Sequence, residues 1–265
     1  MQSLVDRDGA EKTALQIVLE EAISAGVEDV CLVIMPGDTE SYRAAAGPHE
    51  SHLHFVEQPE PRGYGDALSA AASFTGKDPF LHLVSDHLYV SGKPIRCAQQ
   101  VVNIAKAANC SVSAVQATRE SMLSYYGTVG ARRVARHPDL YEIENVLEKP
   151  TPSEAEQKLL IPGLRAGYYL CFFGIHVLTP SVMEMLTDSV ARSDPGKPVE
   201  VSSVLAQLAG QERYLALEVC GRRYNIGVKY GLLFAQLALA FDGAERESVL
   251  TQLVEQLALR RQAEQ

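Results

Sequence analysis

No stretch of this sequence approaches the roughly 20 consecutive apolar residues that a bilayer-spanning helix needs. The opening residues, MQSLVDRDGAEKTALQ, also lack the basic segment followed by an apolar run that marks a secretory leader. Both absences point to a cytoplasmic protein with no membrane partner. Cysteine is sparse: Cys31, Cys97, Cys110, Cys171 and Cys220 are scattered, odd in number and never spaced C-x-x-C. That pattern excludes a disulfide framework or a cysteine zinc site and is expected to give reduced, mostly buried thiols. Positive charge is also short, with a formal net charge of -9. A general nucleic-acid surface is therefore excluded, because phosphate backbones are held by clustered Lys and Arg. An anionic small ligand needs only a few local cations or a metal. Repeats and low-complexity tracts are absent too.

What is present is a chain of 265 residues, 46% hydrophobic, long enough for one large domain, or one with a small appendage. Residues 13 to 25 have the pattern of a helix, with Thr13 and Gln16 as a T-x-x-Q capping box, Leu15, Val18, Leu19, Ala22 and Ile23 on one face, and Gly26 as a left-handed stop. The run DVCLVIM follows, continuous and apolar like a strand buried on both faces. The alternation continues through LHFVEQ, a helix over 66 to 74, PFLHLVS, a helix over 94 to 108, and SVSAVQAT. This predicts an α/β fold with a mainly parallel sheet flanked by helices. From about 126 to 178 strands dominate, which suggests a β-rich insertion on a nucleotide-type core. The segment ERESVLTQLVEQLALRRQ predicts an amphipathic helix with Val249, Leu250, Leu253, Val254 and Leu257 on one face. It could pack on the domain or build a homo-oligomer. The expected division is a main domain over 1–241 and a terminal helix over 242–265.

Three segments carry candidate chemistry. In LHLVSDHLYV, Asp86 ends an apolar strand, where open parallel sheets bind ligands. It caps a turn there or ligates magnesium, a hard cation that prefers carboxylate oxygen. His87 shapes the pocket beside it. In VEQPEPRGYGDAL, the Gln58 amide suits the paired C=O and N–H edge of a uracil. Gly63 and Gly65 would admit a flat base, and Asp66 would cap a helix beginning at Ala67. The competing reading is an ordinary Pro/Gly turn. In ENVLEKP, strand alternation would put Glu148 and Lys149 on opposite faces, one for sugar hydroxyls and one for a phosphate. A solvated ion pair is the alternative.

Taken together and in order, these segments resemble the sugar-phosphate nucleotidyltransferases, most closely the bacterial UTP-glucose-1-phosphate uridylyltransferase type. ALQIVLEEAISAG, VEQPEPRGYGDA, LHLVSDHL, YYGTV, EKP, GIHVLTP and GRRYNIGVKYG carry the resemblance across most of residues 4 to 240. It implies a Rossmann-like fold with a β-rich sugar-binding portion, joining UTP to glucose 1-phosphate with Mg2+ and releasing pyrophosphate. By the same resemblance Gln58 and Gly63 would read uracil, Asp86 and Asn225 would hold the metal, and Gly127 and Glu148 would contact glucose. Lys149 would meet the sugar phosphate, and Tyr126 and Gly174 would line the pocket. Catalysis would rest on Asp86 and Lys149. The sequence departs from the pattern in having Asn225 where a second metal-binding aspartate is expected, and His87 where relatives often carry another aspartate. It also lacks the opening strand and G-x-G-T-R loop, which suggests a start placed downstream of them and a gap in the sheet, where neighbouring strands lose partners. A transferase for another pyrimidine nucleotide or sugar phosphate remains an alternative, as does a non-catalytic nucleotide-sugar-binding homologue or partner subunit.

Overall fold

The computed structural model describes residues 2–194 and 197–263, with side chains described up to residue 259. The elements in chain order are β1 (Ser3–Val5), β2 (Glu11–Thr13), α1 (Ala14–Ile23), β3 (Val30–Ile34), α2 (Thr39–Ala46), β4 (Leu53–Glu57), α3 (Tyr64–Ala70), α4 (Ala72–Thr75), β5 (Phe80–Leu83), β6 (His87–Ser91) and α5 (Cys97–Ala108). After them come β7 (Ser111–Arg119), β8 (Thr128–Arg133), β9 (Leu140–Leu147), α6 (Pro152–Lys158), β10 (Tyr168–Leu178), α7 (Pro180–Arg192), α8 (Val201–Gln211), β11 (Tyr214–Glu218), β12 (Gly221–Asn225), α9 (Gly231–Asp242) and α10 (Arg246–Ala263).

The alternation read from the sequence gives the expected α/β class, but the sheet is mixed rather than mainly parallel. The central sheet has six strands in the order β5-β10-β7-β11-β9-β8. Within it only β7 and β11 run parallel; β10 is antiparallel to β5, β7 and β8, and β9 to β8 and β11. The reason lies in the strand-rich stretch after residue 126. Its strands β8, β9 and β10 belong to the central sheet itself instead of forming an insertion beside it. Apolar runs buried on both faces do not encode direction, so their continuity could not distinguish a parallel from an antiparallel neighbour.

Period-two alternation sends the two faces of the central sheet to different helices. Val115, Leu170, Leu178 and Ala216 pack with α7 and α8 through Val182, Leu186, Val204 and Leu208. Val112, Ala114, Ile175 and Leu215 pack with α5 through Cys97, Val101 and Ala105. A third cluster joins the β1–β2 hairpin to α1, β6 and α9 through Leu4, Ile17, Leu88 and Leu239. Lys12 anchors that hairpin by reaching Asp6, Asp8 and Glu20 at 2.8–2.9 Å. Helix α1 begins with the expected box: Thr13 accepts from the Gln16 backbone N–H and the Gln16 side chain accepts from Thr13, while Gly26 sits at φ +85.

Outside the central sheet, β3 and β4 form a separate parallel pair, and β6 and β12 a separate antiparallel pair. Strand β5 pairs only with β10, and β3 only with β4, so each keeps one edge without a strand among the described residues. Most side chains of β3 and all those of β5 are only half-buried although their sequences are apolar.

Several local expectations are corrected. The helix expected over 66 to 74 begins earlier and is divided, as α3 and α4. Asp66 lies in the first turn of α3, whose N-cap is Gly63. Of the cysteines, Cys97 and Cys171 are buried, Cys31 and Cys110 partly so, and Cys220 is exposed; all are free thiols. On α10, Val249, Leu250 and Leu253 are half-buried, whereas Val254 and Leu257 are open to solvent. No helix of the described residues is long and apolar enough to cross a membrane.

Candidate functional site

Asp86 occupies the short link between β5 and β6, at the carboxyl end of β5. Val84 seals the strand by donating its backbone N–H to Gly174 O at 3.0 Å, leaving the half-exposed Asp86 carboxylate beyond the sheet. Its Oδ1 accepts from His87 Nδ1 at 2.7 Å. That hydrogen bond is the main reason the carboxyl is held below the usual aspartate range, and it keeps the group ionised at neutral pH.

Strand β12 brings Asn225 opposite His87, and the Asp86 carbonyl accepts the Ile226 N–H at 2.8 Å. A side-chain carbon at Gly227 would lie 3.2 Å from Asn225 Oδ1 and 3.4 Å from Asp86 Oδ2. The two oxygens therefore converge on a space that glycine leaves open. Asn225 Oδ1 also accepts the Gly227 N–H at 2.8 Å, which uses one of its two lone pairs. One carboxylate and one amide oxygen suit a hard cation that keeps waters and takes further oxygens from phosphates. Among the described residues no group of three or more His, Cys, Asp or Glu side chains could hold a metal.

The second wall is built by the chain either side of β8 and β9. Lys149 adopts a left-handed backbone, φ 44, and its N–H donates to Tyr126 O at 3.2 Å. A side-chain carbon at Gly127 would meet Phe172 at 2.8 Å and Glu148 Oε2 at 3.2 Å, so Glu148 lies over the bare backbone of Gly127. Lys149 Nζ is 3.5 Å from Glu148 Oε1. The two side chains thus pair with each other instead of facing apart, because β9 ends at Leu147 and strand alternation no longer applies beyond it. Tyr126 faces His87 with ring centres 6.5 Å apart, joining this wall to Asp86.

The third wall is the loop after β4. Gln58 Nε2 donates to Asp66 Oδ2 at 2.6 Å and Gly63 O at 3.3 Å. Its donors are thereby engaged inside the loop, and the Oε1 acceptor has its direction fixed. Gly63, at φ +107, leaves no room for a side-chain carbon, which would stand 2.7 Å from Pro198 Cβ.

Tyr64, which was not singled out from the sequence, links this loop to the rest. Its hydroxyl and His82 Nε2 are in hydrogen-bond contact at 2.7 Å, and although about half of the residue is open to solvent, desolvation and then the charges of Asp86 and Glu148 push its phenol above the usual value. The sign that could have found it is an aromatic residue between two glycines in a candidate binding loop. Gly174 is not brought to the opening. It is buried at φ +90, at the bulge in β10 between Phe172 and His176, with its carbonyl accepting from Tyr89 Oη at 2.8 Å. A groove of about 630 Å³ lined by Arg7, Ser91, Lys93 and Asp242 lies at the other end of β6 and contains none of these residues.

A carboxylate and an amide oxygen at a strand end, a Glu–Lys pair on a glycine backbone and a constrained glutamine loop together match what a nucleotide-sugar chemistry needs. The Nucleotidyl transferase family profile matches residues 7–230. The chain belongs to the nucleotidyl transferase family. Among its relatives, a UTP–glucose-1-phosphate uridylyltransferase of Streptococcus pneumoniae is 26% identical over 247 residues, 84% of this chain and 78% of that protein. One from Streptococcus pyogenes is 26% identical over 258 residues, covering 88% and 80%. In fold, the family member is similar to a UTP-bound UGPase from Acinetobacter baumannii, with a TM-score of 0.72, 21% identity and coverage of 92% and 88%. A UDP-glucose pyrophosphorylase complexed with UDP-glucose gives a TM-score of 0.70 at 22% identity, covering 85% of each chain.

Proposed function

We propose that this protein transfers UMP from UTP to glucose 1-phosphate, giving UDP-glucose and pyrophosphate with Mg2+. The observation that carries the reading is the convergence of Asp86 and Asn225 oxygens at Gly227, with Tyr126, next to Gly127, facing His87 beside them. Relatives named for this reaction support the choice of substrates.

In this reading Gln58 Oε1 accepts the uracil N–H, and the bond to Asp66 keeps the amide from flipping. Gly63 supplies the positive φ of the turn and packs on Pro198, which fixes the loop that carries Gln58. Glu148 accepts hydroxyl hydrogens of the glucose laid over Gly127, and Lys149 turns from Glu148 to the sugar phosphate. Asp86 and Asn225 would hold Mg2+. The ion, when bound, neutralises phosphate charge and lowers the barrier to attack at the α-phosphorus. The attacking sugar-phosphate oxygen is already ionised at neutral pH, so no general base is required. The residues act by alignment and charge neutralisation.

Pyrophosphate release measured across a panel of nucleoside triphosphates and sugar phosphates tests this. UTP with glucose 1-phosphate is expected to be the preferred pair, and only with Mg2+ present. Preference for another pair would sink the substrate assignment. A second reading, a non-catalytic nucleotide-sugar-binding subunit, is favoured by the single carboxylate of the Asp86–Asn225 pair. Tight UDP-glucose binding without turnover would select it.

A further inference from the structure

Arg223 is a half-buried cation whose inner nitrogens lack a counter-charge. Its Nε and Nη1 are shut off from solvent and have no hydrogen-bond partner, while Nη2 reaches Thr118 Oγ1 only at 3.5 Å. No carboxylate hydrogen-bonds to it among the described residues. Its guanidinium carbon stands 3.8 Å from the centre of the Tyr126 ring and 5.9 Å from that of Phe173. Stacking on aromatic faces returns only part of what it costs to remove a guanidinium from water, and evolution seldom leaves such a charge unpaired without use. Two residues along β12, on the same face by strand alternation, is Asn225. The Tyr126 ring that Arg223 stacks on belongs to the residue whose carbonyl accepts the Lys149 N–H, and Gly127 follows it. The charge is therefore stacked on the residue that leads into the wall assigned to the sugar phosphate. In front of that wall the cation Lys149 is already opposed by Glu148.

We infer that Arg223 supplies the standing positive charge of the phosphate subsite. The anion that balances it arrives with the ligand, and Arg223 acts through Tyr126, whose ring it holds in place. It is a positioning residue, with no contact to the reacting atoms. The inference rests on the reading of this site as one for phosphorylated ligands, and adds to it the source of the field in an otherwise acidic chain.

The test compares wild type, Arg223→Met, Arg223→Gln and Arg223→Lys by calorimetry with uridine, glucose 1-phosphate, inorganic pyrophosphate and UDP-, dTDP- and CDP-glucose in the presence of Mg2+, with thermal melting alongside. In the Met and Gln variants, affinity for phosphorylated ligands is expected to fall by about tenfold or more while that for uridine changes by less than about twofold. Arg223→Lys should retain most of the affinity. The melting temperature of Arg223→Met should hold or rise, because two buried nitrogens without a partner have been removed; if that variant does not fold, Arg223→Gln carries the binding comparison.

Unchanged phosphate affinity overturns the inference, as does an equal loss for uridine and UDP-glucose accompanied by a lower melting temperature. Loss confined to phosphorylated ligands other than UDP-glucose, with UDP-glucose itself not bound by wild type, would sink the uridylyl assignment and leave the role of Arg223 standing. A wild type that binds no phosphorylated compound would end both.

Discussion

Asp86 and Asn225 are close enough for both to face the space above Gly227, yet they bring one negative charge between them. An amide oxygen can ligate a hard cation but contributes no charge to hold it. Asp86→Ala should therefore abolish turnover, whereas Asn225→Asp should reach half-maximal activity at a lower magnesium concentration, by about threefold or more. Activity titrated against Mg2+ decides this, and full activity in Asp86→Ala would remove Asp86 from the site. At this scale the sequence was informative where chemistry is local. Asp86, Glu148 and Lys149 could be put forward as candidates because their residue types and strand-end positions limit what they can do. Arg223 could not, since its meaning comes from the absence of a partner, and only the assembled structure shows which groups fail to reach it. Gly174 was misread for the opposite reason: a glycine required by a bulge and a close tyrosine hydroxyl looks the same in sequence as one required by a ligand.

Among elements, the contact between β12 and α9 is the tightest that bears on the site. A side-chain carbon at Gly231, the first residue of α9, would stand 1.8 Å from the Asn225 carbonyl oxygen. Gly231→Ala must then push the end of β12 away from the helix, at a cost of about 3 kcal/mol or more for overpacking. The expected outcome is a lower urea midpoint together with weaker magnesium-dependent ligand binding, because Asn225 moves with its backbone. Loss of stability with unaltered magnesium dependence would show that the strand end yields elsewhere. The elements themselves were largely legible: the capping box at Thr13 and Gln16 and the apolar periods located α1, β3, β4, α5 and β7 to within a few residues. Strand direction and neighbour were not, because a strand such as β10, apolar along most of its 11 residues, satisfies any flanking strand equally. The open residues Val254 and Leu257 show the same limit, since amphipathic spacing states that a face is apolar without stating what covers it.

The molecule as a whole should be acid-labile for a reason lodged in its core. His82 stacks on His176 at 5.5 Å, and the His176 ring is in hydrogen-bond contact with Ser113 Oγ at 2.6 Å, which in turn contacts Tyr214. Burial lowers the His82 pKa from 6.5 to about 4 and pushes that of His176 down as well. Unfolded histidine takes up a proton near 6.5 while the folded ring stays neutral. Stability is therefore fully present above about pH 6.5 and declines as pH falls towards about 4, by at most about 3 kcal/mol for His82. Melting temperatures measured between pH 7.5 and 4 should show the decline, and His82→Gln should flatten it. An unchanged slope in that variant would place the lability elsewhere.

The interrupted sheet also has a mechanical consequence. The loop that carries Gln58 and Gly63 hangs from the β3–β4 pair, while Asp86, Glu148 and Lys149 are mounted on or beside the six-stranded sheet, and among the described residues no strand bonds one sheet to the other. The two supports meet instead in one core: Cys31, Val33, Leu68 and Ala72 pack into the cluster beneath the six-stranded sheet, the Gly65 N–H donates to Val199 O at 3.1 Å, and Tyr64 meets His82. The loop is thus riveted to the sheet by side chains and not by a ladder, so a substitution that loosens Leu68 or Ala72 should shift Gln58 relative to Asp86 while every strand pairing stays intact.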